Sequence, residues 1–423
     1  MNSFPNTQVC AASSILGDRP AYRHFRCERL LFLPIFLLLF CGVSTSSVWS
    51  EEWGDISATL DRVVQQHHLP AMVGAVILDG RLYATGIAGV RKAGTDVKAT
   101  IDDPFHLGSC TKSMTCTLLA ILIEQGKLRW DSTLAEIFPE FVETMNPTFR
   151  TVTVEMLMMM SSGLLRDVLP SGLTIDDIII HPELFVFPGS NIVEQRYNYV
   201  GVALQSEPVY QPGQDYLYSN AGYIVLGAIA EKIEGKSWED LMQEMIFRPL
   251  GMTSAGVGTY GSTDVVDAPW WHYIDDENNQ RTPVAPTSEN DLPNVYGPAG
   301  LVHCSITDWS KYILVHLNGE WEDQILLKQE TIVRLHTAKF PGPFSYACGW
   351  VAEWGDDRTY LFHDGSNGMN LSNAWLSPQN RFAVIAVTNQ AGDAASEGMD
   401  QVIQALIEEF APRSAVADWE ELR

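Results

Sequence analysis

Sequence patterns typical of β-strands occur at both ends of this 423-residue chain. Near the N-terminal end, β-rich runs at 72–78 and 82–87 flank the pair Asp79-Gly80, which predicts a hairpin. Further strand patterns lie near the C-terminal end, at 346–352, 359–362, 371–376 and 381–387. We therefore predict an α+β fold, an α/β sandwich. Its antiparallel sheet is built from N- and C-terminal strands and flanked by helices, and a mostly helical lobe is inserted into it.

Helical spacing of apolar residues dominates the middle of the chain. The helical patterns lie at 52–68, 115–128, 151–160, 221–235, 238–250 and 394–410. Two long segments of mixed character, 163–210 and 253–298, are typical of lids or walls of a site. The second segment contains Trp270, Trp271 and Tyr273, which either line a cleft or belong to a surface hairpin.

The first fifty residues differ in composition from the rest. Four arginines precede an apolar run at 30–43, and small residues follow at 44–47, an order typical of an export signal. The run is shorter than the roughly 20 residues that span a bilayer, and Pro34 interrupts it, which favours cleavage. An uncleaved membrane anchor through 30–43 stays open. We expect residues 1–50 to be an export signal or anchor with its leader, and 51–423 to be one exported domain, periplasmic or extracellular.

Charge and cysteine content exclude several functions. The formal net charge is -25 and no block of Lys and Arg occurs, so nucleic acids would be repelled. Neither Cys-x-x-Cys nor His-Glu-x-x-His is present, so we expect no catalytic metal and no cofactor. After the leader, Cys110 and Cys116 share one predicted helix and should not bridge. Cys304 and Cys348 could form a disulfide in an oxidising compartment.

The pattern Ser109-x-x-Lys112 lies at the start of the helical pattern at 115–128. A spacing of three residues puts both side chains on one face of the first turn of a helix. A serine hydroxyl is a poor nucleophile near pH 7, and a lysine with a lowered pKa, together with the positive field of a helix N-terminus, can activate it. A solvent-facing lysine on an ordinary helix gives the same pattern, so the pattern needs support from other motifs.

A second pattern, Tyr218-x-Asn220, directly precedes the helical pattern at 221–235. A phenol held between a lysine and a serine can relay a proton to a leaving group, and an amide can hold both the lysine and a substrate carbonyl. Alternatively, Tyr218 is a core tyrosine and Asn220 is a helix N-cap. Ser219 and Thr111 are interpreted as local capping groups.

A third pattern, His363-Asp364-Gly365-Ser366, follows a predicted strand and begins a bend. A glycine at this position would let substrate lie against the edge of the strand. The backbone N–H of Ser366 could join that of Ser109 in an oxyanion hole. Alternatively, His363 is only a polar residue at the end of a strand.

The three patterns, in this order, resemble the motifs of the serine β-lactamase and penicillin-binding-protein superfamily, in particular its class C β-lactamase-related branch. The similarity covers residues 55–410. The resemblance implies a β-lactamase/transpeptidase-like fold in which Ser109 is the acylated nucleophile and Lys112 activates it. It also implies that Tyr218 acts as general base and then acid, that Asn220 positions Lys112 and substrate, and that His363 stands where many relatives have Lys.

The third motif departs from that of β-lactam-active relatives, which usually have Lys-Thr/Ser-Gly for binding a substrate carboxylate. Here a largely neutral imidazole and the acidic Asp364 replace the cation and the hydroxyl, and a negative charge repels a carboxylate. We therefore expect a serine hydrolase that cleaves ester or amide bonds of a small molecule or peptide through an acyl-enzyme. It would resemble an esterase, D-aminopeptidase or D-Ala carboxypeptidase, with weak or no β-lactamase activity. The alternative is a catalytically silent, penicillin-binding-like envelope protein. The sequence does not indicate an oligomeric state.

Overall fold

The strands form one large sheet and two small ones. A computed structural model describes residues 53–169, 181, 184–275, 280–340, 345–355, 358–413 and 415. The strands are β1 (Gly54–Asp55), β2 (Ala71–Leu78), β3 (Arg81–Gly89), β4 (Phe105–His106), β5 (Gly256–Val257), β6 (Trp271–Asp275), β7 (Gln280–Val284), β8 (Val302–Cys304), β9 (Tyr346–Ala347), β10 (Trp350–Gly355), β11 (Arg358–Ser366), β12 (Leu371–Ser377) and β13 (Phe382–Thr388). The order in the large sheet is β1-β3-β2-β13-β12-β11-β10-β9.

The helices lie mainly between the two groups of strands. In chain order they are α1 (Ser57–Gln66), α2 (Thr111–Glu124), α3 (Leu134–Ile137), α4 (Val154–Met158), α5 (Ile192–Ala203), α6 (Asn220–Glu234), α7 (Trp238–Met242), α8 (Gly297–Gly300), α9 (Ile306–Gly319), α10 (Gln329–Leu335) and α11 (Asp393–Phe410). The predicted leader and anchor lie outside the described residues. Within the described part of the chain, no helix combines the length and the apolar character that crossing a membrane requires.

The large sheet joins the two ends of the chain through the pair of β2 and β13. These strands are antiparallel, with Val76 opposite Val384. Alternate residues of β2 belong to two cores, as the period of a strand requires. Val73, Ala75 and Ile77 pack in the core shared with the helical lobe, whereas Val76 packs in the core formed with α1 and α11. The predicted α+β fold with an inserted helical lobe is confirmed, and the one parallel pair in the large sheet is that of the short β1 with β3.

Short sequence patterns predicted several elements correctly. The Asp79-Gly80 hairpin forms as predicted, with Leu78 opposite Arg81. Both turn residues have positive φ, 53° and 69°, as a two-residue hairpin turn requires. Trp271 is buried and begins the β6–β7 hairpin, which corresponds to the hairpin alternative for that segment.

Other predicted elements differ from the structure. The predicted strand at 346–352 is two strands, β9 and β10, separated by a turn in which Gly349 has a φ of +82°. The helical pattern at 151–160 forms only the short α4, because Thr153 caps its start and Met160 has a positive φ. Cys304 and Cys348 are both buried and free, so the disulfide considered for them does not form. The sequence could not show that these thiols are unpaired, because positions along the chain do not give the distance between two side chains.

A fully buried arginine ties the helical lobe together. The Arg196 guanidinium, on α5, donates to the carboxylates of Glu231 on α6 and Glu239 on α7. It also donates to the backbone carbonyls of Asn294 and Val295, at 2.9 and 3.3 Å. These two carbonyls begin the segment that leads into α8, which forms a wall of the site described below.

We predict that Arg196→Met destabilises the protein by about 3–5 kcal/mol, because it leaves the Glu231 carboxylate buried without its cation. Thermal or urea unfolding of purified protein measures the change. Arg129→Met is the matched control, since Arg129 also pairs with two carboxylates but on the exposed surface. An Arg196→Met variant as stable as the Arg129→Met variant would contradict the prediction.

Candidate active site

Ser109 and Lys112 meet at the start of the first long helix of the lobe. Ser109 lies in a 3-10 turn, Gly108–Cys110, and Lys112 is the second residue of α2. Lys112 Nζ lies 2.9 Å from Ser109 Oγ. It also donates a hydrogen bond to the backbone carbonyl of Ala299 in α8, at 2.7 Å. The two side chains are therefore held on one face, with the amine between the hydroxyl and a carbonyl.

The Lys112 side chain is fully buried. Burial penalises the ammonium form and lowers the pKa of Lys112 to about 7, although the negative charge of Asp167 opposes this shift. About half of the lysine is therefore a neutral amine at neutral pH. A neutral amine within hydrogen-bond distance of a serine hydroxyl can accept its proton.

Tyr218 completes the group from a second segment, just before α6. Lys112 Nζ lies 4.8 Å from the centre of the Tyr218 ring. Burial raises the pKa of Tyr218 well above its ordinary value, and a hydrogen bond with Ser109 opposes only part of that increase. Tyr218 is therefore a protonated phenol beside the serine at neutral pH.

Asn220 lies at the same cleft but is bound to a residue that the sequence did not single out. Its Nδ2 donates to Asp167 Oδ1 at 3.0 Å, and the Tyr296 hydroxyl donates to the same oxygen at 3.0 Å. Asn220 is the first residue of α6, and the N-cap is Ser219, whose hydroxyl accepts from the backbone N–H of Gly222 at 2.9 Å. The N-cap alternative for Asn220 is therefore wrong, and the capping role of Ser219 is confirmed.

Thr111 does not cap α2. Its hydroxyl accepts a hydrogen bond from the backbone N–H of Val302 at 3.1 Å, and this bond ties the start of α2 to β8. The N-cap position of α2 belongs to Cys110, which makes no capping side-chain hydrogen bond. The interpretation of Thr111 as a capping group is therefore wrong.

His363 lies within β11 rather than at its end, and it is neutral. Its Nδ1 is 2.5 Å from the backbone carbonyl of Asp364, which can only accept, so Nδ1 carries the proton. Nε2 lies 3.0 Å from the Tyr346 hydroxyl. Burial, with the nearby charge of Lys112, lowers the pKa of His363 to about 3. This position thus presents an uncharged imidazole at the cleft.

The 3-10 turn that carries Ser109 packs directly against β11. A Cβ atom on Gly365 would lie 2.0 Å from the Leu107 carbonyl oxygen and 2.9 Å from the Ser109 backbone nitrogen. A Cβ atom on Gly108, which has a φ of +50°, would lie 2.2 Å from the Ser366 backbone nitrogen. Because both positions are glycine, the two backbone segments can approach each other closely. The backbone N–H groups of Ser109 and Ser366 therefore both lie where the two segments meet.

These residues share one cleft of about 460 Å³. All seven residues singled out from the sequence line it except Lys112, which lies beneath it. Arg166 and Asp364 also belong to its lining. The strand pleat directs Asp364 to the face of β11 opposite His363, where its carboxylate accepts from Asn373 at 2.6 Å. Among the described residues, no group of three or more His, Cys, Asp or Glu side chains is arranged to hold a metal ion.

Several contributors to the site were not named from the sequence. Among them, Tyr296, Ala299 and Tyr346 line the cleft, and Asp167 binds Asn220. Asp167 and Tyr296 lie in the two segments of mixed character, in which only Trp270, Trp271 and Tyr273 were named as candidates to line a cleft. Ala299 contributes only a backbone carbonyl, for which its side chain gives no signal.

The chain is similar in sequence to known proteins. A family model described as Beta-lactamase matches residues 56–408. Penicillin-binding protein 4 of Amycolatopsis lactamdurans is 27% identical over 380 residues, which cover 83% of this chain and 88% of that protein.

Solved structures share the fold. A class C beta-lactamase from Rhodobacter sphaeroides is similar with a TM-score of 0.64 at 20% identity, over 83% of this chain and 98% of that one. A D-stereospecific amidohydrolase from Streptomyces sp. has a TM-score of 0.62 at 22% identity, over 82% of this chain and 96% of that one. With a family model that matches most of its length, and with the fold of these relatives, the chain belongs to the beta-lactamase family.

Proposed function

We propose that the protein is a serine hydrolase that cleaves an ester or amide bond through an acyl-enzyme on Ser109. The observation that carries the proposal is the 2.9 Å separation of Ser109 Oγ from a buried Lys112 amine, at the wall of an open cleft. Membership of the beta-lactamase family supports hydrolase chemistry of this general kind. A silent binding protein has no need for a desolvated lysine at a serine hydroxyl, since burying an amine costs free energy.

In the proposed reaction, the neutral Lys112 amine takes the proton of Ser109 as Oγ attacks the substrate carbonyl. The backbone N–H groups of Ser109 and Ser366 stabilise the negative oxygen of the tetrahedral intermediate. As the intermediate collapses, Tyr218 gives its proton to the leaving group and regains one from Lys112. A water molecule then attacks the acyl-enzyme ester by the reverse route: Tyr218 takes a proton from water and passes its own to Lys112. Lys112 returns that proton to Ser109 Oγ as the acyl group leaves. The raised pKa of Tyr218 keeps this phenol protonated at neutral pH, so Lys112 is the stronger candidate for the base.

The substrate is proposed to be a neutral ester or amide, or one with an amine near the scissile bond. His363 is uncharged, and the Asp364 carboxylate is negative although it lies on the opposite face of β11, so neither residue attracts a carboxylate. The similar structure named as a D-stereospecific amidohydrolase supports an amide as one candidate. We also propose that the enzyme acts outside the cytoplasm, because residues 1–50 have the order of an export signal.

We predict that a fluorophosphonate labels wild-type protein at Ser109. Intact-protein mass spectrometry, followed by peptide mapping, measures the adduct. Ser109→Ala removes the nucleophile and abolishes labelling, whereas Ser113→Ala, which removes a buried hydroxyl four residues further along, retains it. Equal labelling of the wild type and Ser109→Ala, or none of the wild type, would contradict the proposed function.

We predict that the second-order rate of acylation rises with pH and levels off above an apparent pKa of about 7. The neutral amine is the active form, so protonation of Lys112 below pH 7 removes the base. Stopped-flow measurement with an aryl ester between pH 5 and 9 gives the profile. Lys112→Arg stays charged throughout and should lose at least about 100-fold in rate, since general-base catalysis contributes roughly 10²–10⁴. A profile in which the rate falls as pH rises from 6 to 8 would contradict this role.

We predict that Asp364→Thr raises the reactivity toward a cephalosporin relative to an aryl ester by roughly fivefold. A unit charge about 10 Å from a substrate carboxylate acts with on the order of 1 kcal/mol near a protein surface. The ratio of the two kcat/KM values is the measurement. Asp400→Asn is the matched control, because it removes a neighbouring charge that does not line the cleft. Equal turnover of the two substrates by the wild type, with no change in Asp364→Thr, would contradict the proposed preference.

A further inference from the structure

A buried histidine and aspartate face each other directly behind the nucleophile turn. His106 is the last residue of β4, two positions before Gly108, and Asp291 lies in the long segment that precedes α8. The two side chains are 0% and 1% exposed, and His106 Nε2 lies 3.2 Å from Asp291 Oδ2. The N–H is not well aligned with this oxygen, so the contact is mainly electrostatic. Neither residue lines the cleft, and the proposed reaction uses neither of them.

The other nitrogen of this histidine binds the nucleophile turn. The backbone N–H of Gly108 donates to His106 Nδ1 at 3.0 Å. Nδ1 therefore carries a lone pair, and the ring proton sits on Nε2, facing the carboxylate. An anionic oxygen at that distance stabilises a proton on Nε2. Asp291 thus selects the tautomer that leaves Nδ1 able to accept from Gly108.

The conformation of Gly108 sets the position of one proposed oxyanion donor. Gly108 has a φ of +50°, and its backbone lies so close to β11 that a Cβ atom would be 2.2 Å from the Ser366 nitrogen. The next peptide unit carries the N–H of Ser109. A change in the hydrogen bond of Gly108 therefore moves the Ser109 N–H relative to that of Ser366.

The second oxygen of the same carboxylate holds the other side of the contact. Asp291 Oδ1 accepts from Asn367 Nδ2 at 3.1 Å. The Asn367 side-chain oxygen in turn accepts from the backbone N–H groups of Met369 and Asn370, each at 3.1 Å. These bonds fix the bend that directly follows Ser366. One carboxylate is therefore linked to both backbone segments that would supply the oxyanion hole.

We propose that His106 and Asp291 are positioning residues that hold the two N–H donors of the oxyanion hole at their working separation. The inference rests on the proposed function and adds residues that never touch substrate. It predicts that the carboxylate acts through the tautomer of His106, which distinguishes it from a merely structural buried acid.

The first test is Asp291→Asn, which keeps an oxygen for Asn367 but turns an amide N–H toward His106. If His106 keeps its proton on Nε2, two N–H groups then face each other. If the proton moves to Nδ1, it faces the Gly108 N–H instead. We expect kcat/KM for an aryl ester to fall by roughly 10–100-fold, the range for a displaced oxyanion donor, with the loss mainly in kcat. Asp308→Asn is the matched control, because Asp308 is a buried carboxylate that binds Ser254 and Lys311 away from the cleft.

A double-mutant cycle isolates the tautomer. In His106→Asn, the amide oxygen can take the place of Nδ1 and accept from Gly108 whatever group stands at position 291. We therefore expect Asp291→Asn to cost much less in the His106→Asn background, about threefold or less. Equal losses in both backgrounds would overturn the proposal and leave Asp291 a purely structural residue.

Nitrogen-15 NMR of histidine-labelled protein provides a measurement that does not depend on activity. We expect His106 to carry its proton on Nε2 in the wild type, and this signature to change in Asp291→Asn but not in Asp308→Asn. A wild-type protein with the proton on Nδ1 would overturn the inference. If the wild type is labelled at Ser109 and Asp291→Asn hydrolyses the aryl ester as fast as the wild type, this inference alone is overturned. If the wild type is not labelled, the proposed function is overturned and this inference with it.

Discussion

The arrangement of the cleft depends on keeping the Lys112 amine out of water. No side chain of opposite charge contacts Nζ in the described structure; its hydrogen bonds go to the Ser109 hydroxyl and the Ala299 carbonyl. The rings of Tyr218 and Tyr223 lie 4.8 and 5.6 Å away. Burial removes the hydration of the ammonium ion, and these dipoles and ring faces replace it only in part, so the pKa of Lys112 falls to about 7. The remaining architecture must exclude water while leaving Ser109 open to the cleft.

The contact between α2 and α8 provides this exclusion. Lys112 bonds Ala299, and one turn further along α2 the Thr115 hydroxyl donates to the carbonyl of Pro298 at 2.7 Å. Pro298 also packs so closely on α6 that a Cβ atom on Gly227 would lie 2.1 Å from its ring. Three helices distant in sequence thus close over one amine. Buried Arg196 supports the same wall by binding the carbonyls of Asn294 and Val295, which lead into α8.

A feature could be predicted from the sequence when the residues that form it are close together along the chain. The Asp79-Gly80 turn and the Ser109–Lys112 pair depend on neighbours a few residues apart, so their spacing in the sequence could indicate them, the second with support from the other motifs. The partners of Asn220 and Lys112 depend on tertiary packing, so Asp167 and the Ala299 carbonyl had no local signal. The same limit explains the cysteines. A pair such as Cys304 and Cys348 is decided by a distance in space, which their positions along the chain do not contain.

The three ionisable side chains nearest Ser109 carry little fixed charge before a reaction begins. At neutral pH, His363 is neutral, Tyr218 is a protonated phenol and Lys112 is partly a neutral amine. In the proposed reaction, charge separates only when Ser109 attacks, with a cation at Lys112 and an anion at the substrate oxygen. Preoriented dipoles in a dry site act most strongly on charge that develops in the transition state. Burial therefore has two linked consequences here. It leaves part of Lys112 as a neutral amine that can accept a proton. It also strengthens the interactions of the backbone N–H groups that would receive the new negative charge.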